Sequence, residues 1–186
     1  KGIKVEELSS LSSNEAVEAI STDGTSLIFF KNGKLMSAVK TDKGWKTEKL
    51  ASAINQGAWQ ADVSLSSDGN VIMFASKYKD NYHSGAVYND TDPEGRFNTD
   101  IYVSIKDENG DWGKPVNLGS VINTKYCERS PFLHPDMKTL YFSSNGHGGL
   151  GHRDIYMSRR LSDTCWTCWS EPVNIGKEIN TPKSDK

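Results

Sequence analysis

Three cysteines in 186 residues are too few for a disulfide-stapled mini-scaffold. Long apolar runs are missing as well. The longest, Leu27 to Phe30 and Val71 to Ala75, reach four or five residues, whereas a membrane-crossing helix needs roughly 20. There is no surplus of positive charge, with 22 Lys plus Arg against 24 Asp plus Glu and a net charge of -2. Without a basic field to hold a phosphate backbone, nucleic acid is not an expected partner. No window carries a convincing helical period; residues 14–20 come nearest, but their place in the repeat described below argues for a strand. The opening Lys1-Gly2-Ile3-Lys4 lacks an apolar signal segment, so an exported form is expected to have lost its signal before Lys1. What is present is a globular composition, 35% hydrophobic and 25% charged, with a length that suits one or at most two domains.

The chain repeats itself. Asp23 to Phe29, Asp68 to Phe74 and Asp136 to Phe142 each run from a turn-forming Asp through an apolar stretch to a Phe six positions on. A second short run follows in each copy, at Lys34–Ser37, Asp100–Ser104 and Asp154–Ser158, and then a tryptophan, Trp45, Trp112 or Trp169. Trp112-Gly-Lys-Pro115-Val-Asn-Leu118 and Trp169-Ser-Glu-Pro172-Val-Asn-Ile175 are nearly one phrase, and both copies close on Ile-Asn-Thr, at 122–124 and 179–181. Copy one closes on Ile54-Asn55-Gln56. The Asn-to-Asn spacing is 68 and then 57 residues, and most of the excess lies between Ser76 and Asp100. The frame is constant and one loop varies.

Each copy reads as four short strands. Strand a is Val17–Ile20, Ala61–Leu65 or Ser130–Leu133; an Asp-Gly-type turn leads to strand b, the apolar run ending in Phe. Strand c is the Asp-Ile-Tyr segment and strand d the Pro-Val-Asn segment, where a proline at the start of an outer strand removes no ladder bond. Four-stranded units of about this length are the signature of a β-propeller. An ordinary β-sandwich is the alternative, and two full copies sharing Trp, Pro, Asn and Asn-Thr in register speak against it. The fold class is therefore all-β. Three blades are expected, about 14–55, 56–123 and 124–181, as part of a larger propeller, with Lys183-Ser184-Asp185 approaching a further one.

The stretch from Glu128 through Pro131, Asp136, Phe142 and Gly146 to Asp154-Ile-Tyr156 resembles the TolB-type, WD-like β-propeller repeat. Its continuation, Trp169-Ser-Glu-Pro172-Val-Asn-Ile-Gly-Lys-Glu-Ile179-Asn180-Thr181-Pro182, is similar to repeats of Bacteroidota envelope proteins. The likeness covers residues 14–182 and is degenerate in copy one, where Lys34 replaces the Asp and Glu48 the Pro. It implies a periplasmic or outer-membrane-associated binding scaffold of the OmpA-family type, some members of which belong to type IX secretion and gliding machinery.

Strand direction sorts the candidate residues. The b–c loops and d-to-a connectors share one face, here called the top, and the a–b and c–d turns share the bottom. The top carries two long b–c loops, Lys77–Thr99 and Ser144–Arg153. Extra loop length on a rigid frame is where function commonly sits. The first loop supplies Tyr78, Tyr82, His83, Tyr88, Arg96 and Phe97, an aromatic and Arg mixture suited to a binding hot spot, and the second supplies His147, His152 and Arg153. The expected partner is a protein or another cell-envelope component.

Other motifs carry less. The glycine-rich Asn145–His152 loop precedes a strand and not a helix, so it lacks the context of a phosphate loop and reads as a tight turn needing positive φ. No metal is expected at the histidines, which lack a convergent ligand set. Asp90, Asp92 and Glu94 before Gly95 form only part of a calcium-loop pattern, so calcium near Asp90 and Asp92 stands as the alternative to no cofactor. Glu15, Gln60 and Glu128 share one repeat position, and Asp100 and Asp154 another; a group repeated blade after blade reads as structural. No nucleophile elbow is present, and no catalytic residue is assigned. The alternative function is a carbohydrate-active or hydrolytic propeller with acidic residues at its central channel. Cys165-Trp-Thr-Cys168 lies in a strand loop and is expected as a local disulfide, with Cys127 on the opposite face.

Overall fold

The structure, a computed structural model, describes residues 5, 8, 15–57, 59–78, 81 and 98–186. Blade one is β1 (Glu15–Ile20), β2 (Ser26–Lys31), β3 (Lys34–Thr41) and β4 (Gly44–Lys49). Blade two is β5 (Gln60–Leu65), β6 (Val71–Ser76), β7 (Asp100–Ile105) and β8 (Val116–Asn117); blade three is β9 (Glu128–Leu133), β10 (Thr139–Ser144), β11 (Asp154–Arg159) and β12 (Val173–Asn174). In each, four antiparallel strands follow one another in chain order. β1 lies beside β5 and β5 beside β9, so the first strands are innermost. These are three blades of a β-propeller, and the ring they begin is not closed. Among the described residues no helix is long and apolar enough to cross a membrane.

The a–b turns show how local sequence sets the hairpins. The carboxylate of Asp23 accepts from the Thr25 N–H at 3.0 Å, that of Asp68 from the Asn70 N–H at 3.1 Å, and that of Asp136 from the Lys138 and Thr139 N–H groups at 2.8 Å. The Ser21 hydroxyl, donating at 2.6 Å, and then these bonds hold the Asp23 acid down at about 2; the Ser66 hydroxyl does most to lower Asp68, and the backbone bonds lower Asp136. The next residue is left-handed in all three turns: Gly24 at φ 69°, Gly69 at φ 72° and Met137 at φ 59°. Met137 occupies that conformation without glycine's freedom, and its side chain packs against the core.

The inner strands start one or two residues earlier than the apolar pattern predicts, because pairing resumes beyond a bulge. The register shifts between Val17 and Ala19, between Ala61 and Ser64, and opposite Tyr141 and Ser143. Asp62 and Ser130, at the bulges, have φ 54° and 49°. The extra residue turns the inner strand's polar groups towards the neighbouring blade.

The closing Asn of each copy bonds both polar groups of one residue at the start of strand c. Asn123 Oδ1 accepts from Ile101 N at 2.8 Å while its Nδ2 donates to Ile101 O at 2.9 Å. Asn180 does the same to Ile155, and Asn55 to Leu35. The strands they reinforce, β8 and β12, are two residues long.

The core lies between blades. Ile28, Leu35, Leu50 and Ile54 of blade one meet Val63, Ile72, Phe74 and Tyr102 of blade two. Val71, Met73, Ile101, Leu118 and Ile122 on the other side of blade two meet Leu140, Phe142, Tyr156 and Trp169 of blade three. Phe29, Phe74 and Phe142 are each the fourth residue of a six-residue second strand and each is buried, at 3%, 0% and 1% exposure. On the far side of blade three the positions that match Leu35 and Ile54 are Ile155, half-buried, and Ile179, exposed.

Phe142→Ala should cost about 3–5 kcal/mol, the usual loss for a buried aromatic. Lys138→Ala should cost under about 1 kcal/mol, since its pair with Asp163 is solvent-exposed. Urea unfolding of the two variants checks the contrast.

Candidate binding face

Charge on the top side is tied into the frame. Asp154 accepts from Leu150 N, from Gly151 N at 3.1 Å and from Asn174 Nδ2 at 3.1 Å, so one carboxylate folds its own b–c loop and holds strand d. Asp100 accepts from Asn117 Nδ2 at 2.6 Å in the matching way. In blade one Lys34 stands at this position and donates instead to Asn55 O and Gly57 O, at 2.9 and 2.8 Å.

The glycine-rich loop does need positive φ, at one position, and owes the rest of its composition to space. Only Gly148 among its four glycines is left-handed, at φ 72°. A Cβ on Gly146 would stand 1.9 Å from Thr124 Oγ1, on Gly149 1.6 Å from Asp154 Oδ2, and on Gly151 2.2 Å from Lys183 O. The loop is pressed onto its neighbours, with no open cradle for a phosphate.

Glu128 opens the innermost strand of blade three and is fully buried. It accepts from Thr124 N at 2.8 Å and from the Thr124 and Ser144 hydroxyls at 2.7 Å. Burial nonetheless pushes its carboxyl up to about 7. Beside it Cys127 is a free, buried thiol, 3.1 Å from Thr99 Oγ1, and burial pushes its pKa up as well. A thiol in that state is not a nucleophile at neutral pH.

Several residues expected on the binding face are instead structural. The Tyr78 hydroxyl donates to Ile54 O at 2.5 Å, and its ring stands edge-on to Tyr102 with centroids 4.6 Å apart. Burial raises its pKa. Asn81 locks the base of the same loop, donating to Ser76 O and Asn98 O and accepting from Tyr78 N and Tyr102 Oη. His147 packs edge-on against Phe142 and lies 2.9 Å from Ile122 O. Arg153 is 1% exposed. Tyr78 and His147 are drawn inward because each has an aromatic ring and a carbonyl from another part of the chain within reach, and Arg153 reaches towards the Cys127 sulfur. His152 remains exposed. Tyr82, His83, Tyr88, Arg96, Phe97, Asp90 and Asp92 lie outside the described residues. Among the described residues no three His, Cys, Asp or Glu side chains are grouped to hold a metal.

A row of acids along the inner strands is not apparent from the repeat. Glu18 Oε2 accepts from Val63 N of the next blade, and Asp62 Oδ2 from Ser130 N of the blade after, both at 3.1 Å. Arg129 grips Asp62 through Nε at 2.8 Å and Nη2 at 3.1 Å while lying over the Trp59 ring. Each acid thus satisfies a backbone N–H exposed by a bulge. On the bottom side Cys165 and Cys168 are joined by a disulfide. Trp166 between them lies under the Arg160 guanidinium, 3.8 Å away.

No family model matches the chain, and neither does any curated protein. Solved structures do. TolB from Acinetobacter baumannii matches with a TM-score of 0.51 and 17% identity, over 86% of this chain and 32% of that one. A puromycin-hydrolyzing peptidase from Mycobacterium tuberculosis matches with a TM-score of 0.50 and 12% identity, over 89% and 24%. A Bacteroides fragilis protein described as a 6-phosphogluconolactonase gives 0.48 and 15%, over 86% and 38%. The chain thus spans well under half the length of each, and the likeness is one of fold.

Glu128 yields a pH test. Its folded-state value lies above the ordinary 4.5, so the native state holds a proton that the unfolded chain has lost between about pH 4.5 and 7. Its contribution to stability is therefore present below that window and is lost as pH rises through it. Glu128→Gln, which installs the residue that blade two carries at Gln60, should reduce the fall in unfolding free energy between pH 5 and pH 8 by roughly 1–3 kcal/mol. Urea titrations of both proteins at the two pH values measure it.

Proposed function

We propose that this chain is a non-catalytic binding module of a bacterial cell-envelope assembly, periplasmic or outer-membrane-associated, that engages a protein or other envelope partner through its top face. The observation that carries this reading is the contrast between frame and loop. Tyr78 and Asn81 anchor the first residues of the connection between β6 and β7, and Asn98 anchors its end by donating to Lys125 O at 3.0 Å. The connection is far longer than closure of this hairpin requires; blade one joins the same strands with Asn32-Gly33. A long insertion on tightly held ends is the arrangement of a recognition loop. The disulfide in a partly exposed loop fits an oxidising compartment. The likeness of copies two and three to Bacteroidota envelope repeats supports the same location, and an OmpA-family or type IX secretion context is the finer form of this proposal.

The rival reading is a carbohydrate-active or hydrolytic propeller, for which Glu128 is the notable group because its carboxyl titrates near neutrality. Against that role, its oxygens are filled by Thr124 and Ser144, and Glu18 and Asp62 are taken up by backbone N–H groups. Acids bound in this way stabilise the blades and have no proton relay to a substrate.

Replacing residues 82–97 with a short Gly-Ser turn, while keeping Asn81, should leave stability within about 1 kcal/mol, since loop closure depends weakly on length. The same change should abolish partner capture from envelope extract. Undiminished capture by the folded variant would place the partner elsewhere.

A further inference from the structure

The two blade junctions share one frame but differ in what fills the corner beside the c–d connections. Between blades two and three, that connection lays Trp166 against the core, and the a–b turn lays Met137 against the same core. Thr167 reaches to 3.8 Å from where a Cβ on Gly119 would stand. The bridges Lys106↔Trp112 and Arg160↔Trp169 make these pairs equivalent. Between blades one and two each filler is missing. The connection 107–111 is shorter than 161–168 and has no tryptophan. Gly69 stands where Met137 stands, and Ser37, by its place in strand c, where Val103 does. Trp169 is buried at 3% exposure, whereas Trp112 is only half-buried.

What remains is an open groove of about 530 Å³, within the size range of ligand pockets, about 300–1,000 Å³. Ile28, Leu50, Leu65 and Trp112 give it apolar walls. Its rim carries Asp23, Glu48, Asp68 and Asp111 against Lys49 and Lys106, an excess of negative charge. Lys106 Nζ lies 4.9 Å from the Trp112 ring centroid, whereas its counterpart Arg160 covers Trp166.

We infer that this groove binds a short polypeptide segment bearing an aromatic side chain flanked by basic ones, seated from outside as the Trp166 loop is seated from within. The aromatic ring replaces the missing Trp166, against the apolar walls and beside the Lys106–Trp112 pair. The basic flanks meet the acidic rim, which attracts and orients them. The groove is lined by residues of the a–b and c–d turns and by none of the described residues of the 77–99 connection, so the inference stands independently of the top-face proposal.

The test is calorimetric titration of the full chain with acetyl-Lys-Trp-Lys-amide. A Kd of about 1 mM or tighter is expected, with binding weakened about tenfold or more for Lys-Ala-Lys and for Glu-Trp-Glu. The variant Gly69→Met with Ser37→Val rebuilds the filled junction and should weaken Lys-Trp-Lys by about tenfold with an unchanged circular dichroism spectrum. Met137, at φ 59°, shows that the equivalent turn of blade three holds a Met in the left-handed region. Glu48→Gln with Asp111→Asn leaves the core untouched and should weaken binding a few-fold at low salt and less at high salt, which keeps the test decisive if the filled variant does not fold. No heat from Lys-Trp-Lys at millimolar concentration would overturn the inference. So would equal binding of Lys-Ala-Lys, preferential binding of an N-acetylglucosamine oligomer, or undiminished binding by both variants.

Discussion

Each blade is closed by one asparagine amide, buried in blades two and three and half-buried in blade one. Outer strands of two residues cannot hold their own ladder, and in blades two and three Asn123 and Asn180 supply the missing pairing by bonding both polar groups of Ile101 and Ile155, as Asn55 does to Leu35 beside the longer β4. The net worth of each such bond is about 1 kcal/mol, but the geometric consequence is larger. The amide fixes where strand d stops, and therefore where the connector departs and where the next inner strand begins. The flanking residues complete the device. Ile54 and Ile122 turn into the junction with the following blade, and Thr124 bonds the Glu128 carboxylate four residues on. Thr181 bonds Asp185 in the same way, and Asp185 N reaches Arg153 O as Glu128 N reaches Thr99 O.

How much of this was legible in the sequence follows from how local each interaction is. The turn aspartates and the second-strand phenylalanines repeat at fixed spacing because they act within one hairpin, and the structure places them equivalently. Ile-Asn-Thr was visible as a phrase, but not as a clasp, because its partner lies across the blade. The acids at the bulges were invisible. Glu18 and Asp62 differ in type and offset, and the need that they meet, a backbone N–H of the next blade, arises only when two inner strands lie side by side. The inward turn of Tyr78 and Arg153 escaped for the same reason. An aromatic or a cation in a long loop reads as exposed until the carbonyls and rings that capture it are known.

Copy one shows what the frame tolerates. Lys34 replaces the loop-capping Asp and serves the same corner with opposite charge, donating to connector carbonyls instead of accepting from loop amides. Its outer strand is six residues long and largely exposed, and so less reliant on the clasp. Small residues at the junction with blade two leave space that blade three fills with a tryptophan loop. Copy one thus departs from the repeat at the loop corner, in the outer strand and at the junction with the neighbouring blade.

The placement of the three thiols has a bearing on how the chain matures. Cys165 and Cys168 are three residues apart, and a loop that short closes on itself in well under a microsecond. Each is the other's nearest oxidation partner before any sheet exists. Cys127 has no such local mate, and its shelter, at 5% exposure behind Thr99, is complete only when blades two and three have joined. In an oxidising compartment a chain that stalls short of that step displays a lone thiol open to cross-linking with other chains, and one that passes it does not. The accessibility of this one thiol therefore reports whether blades two and three have joined.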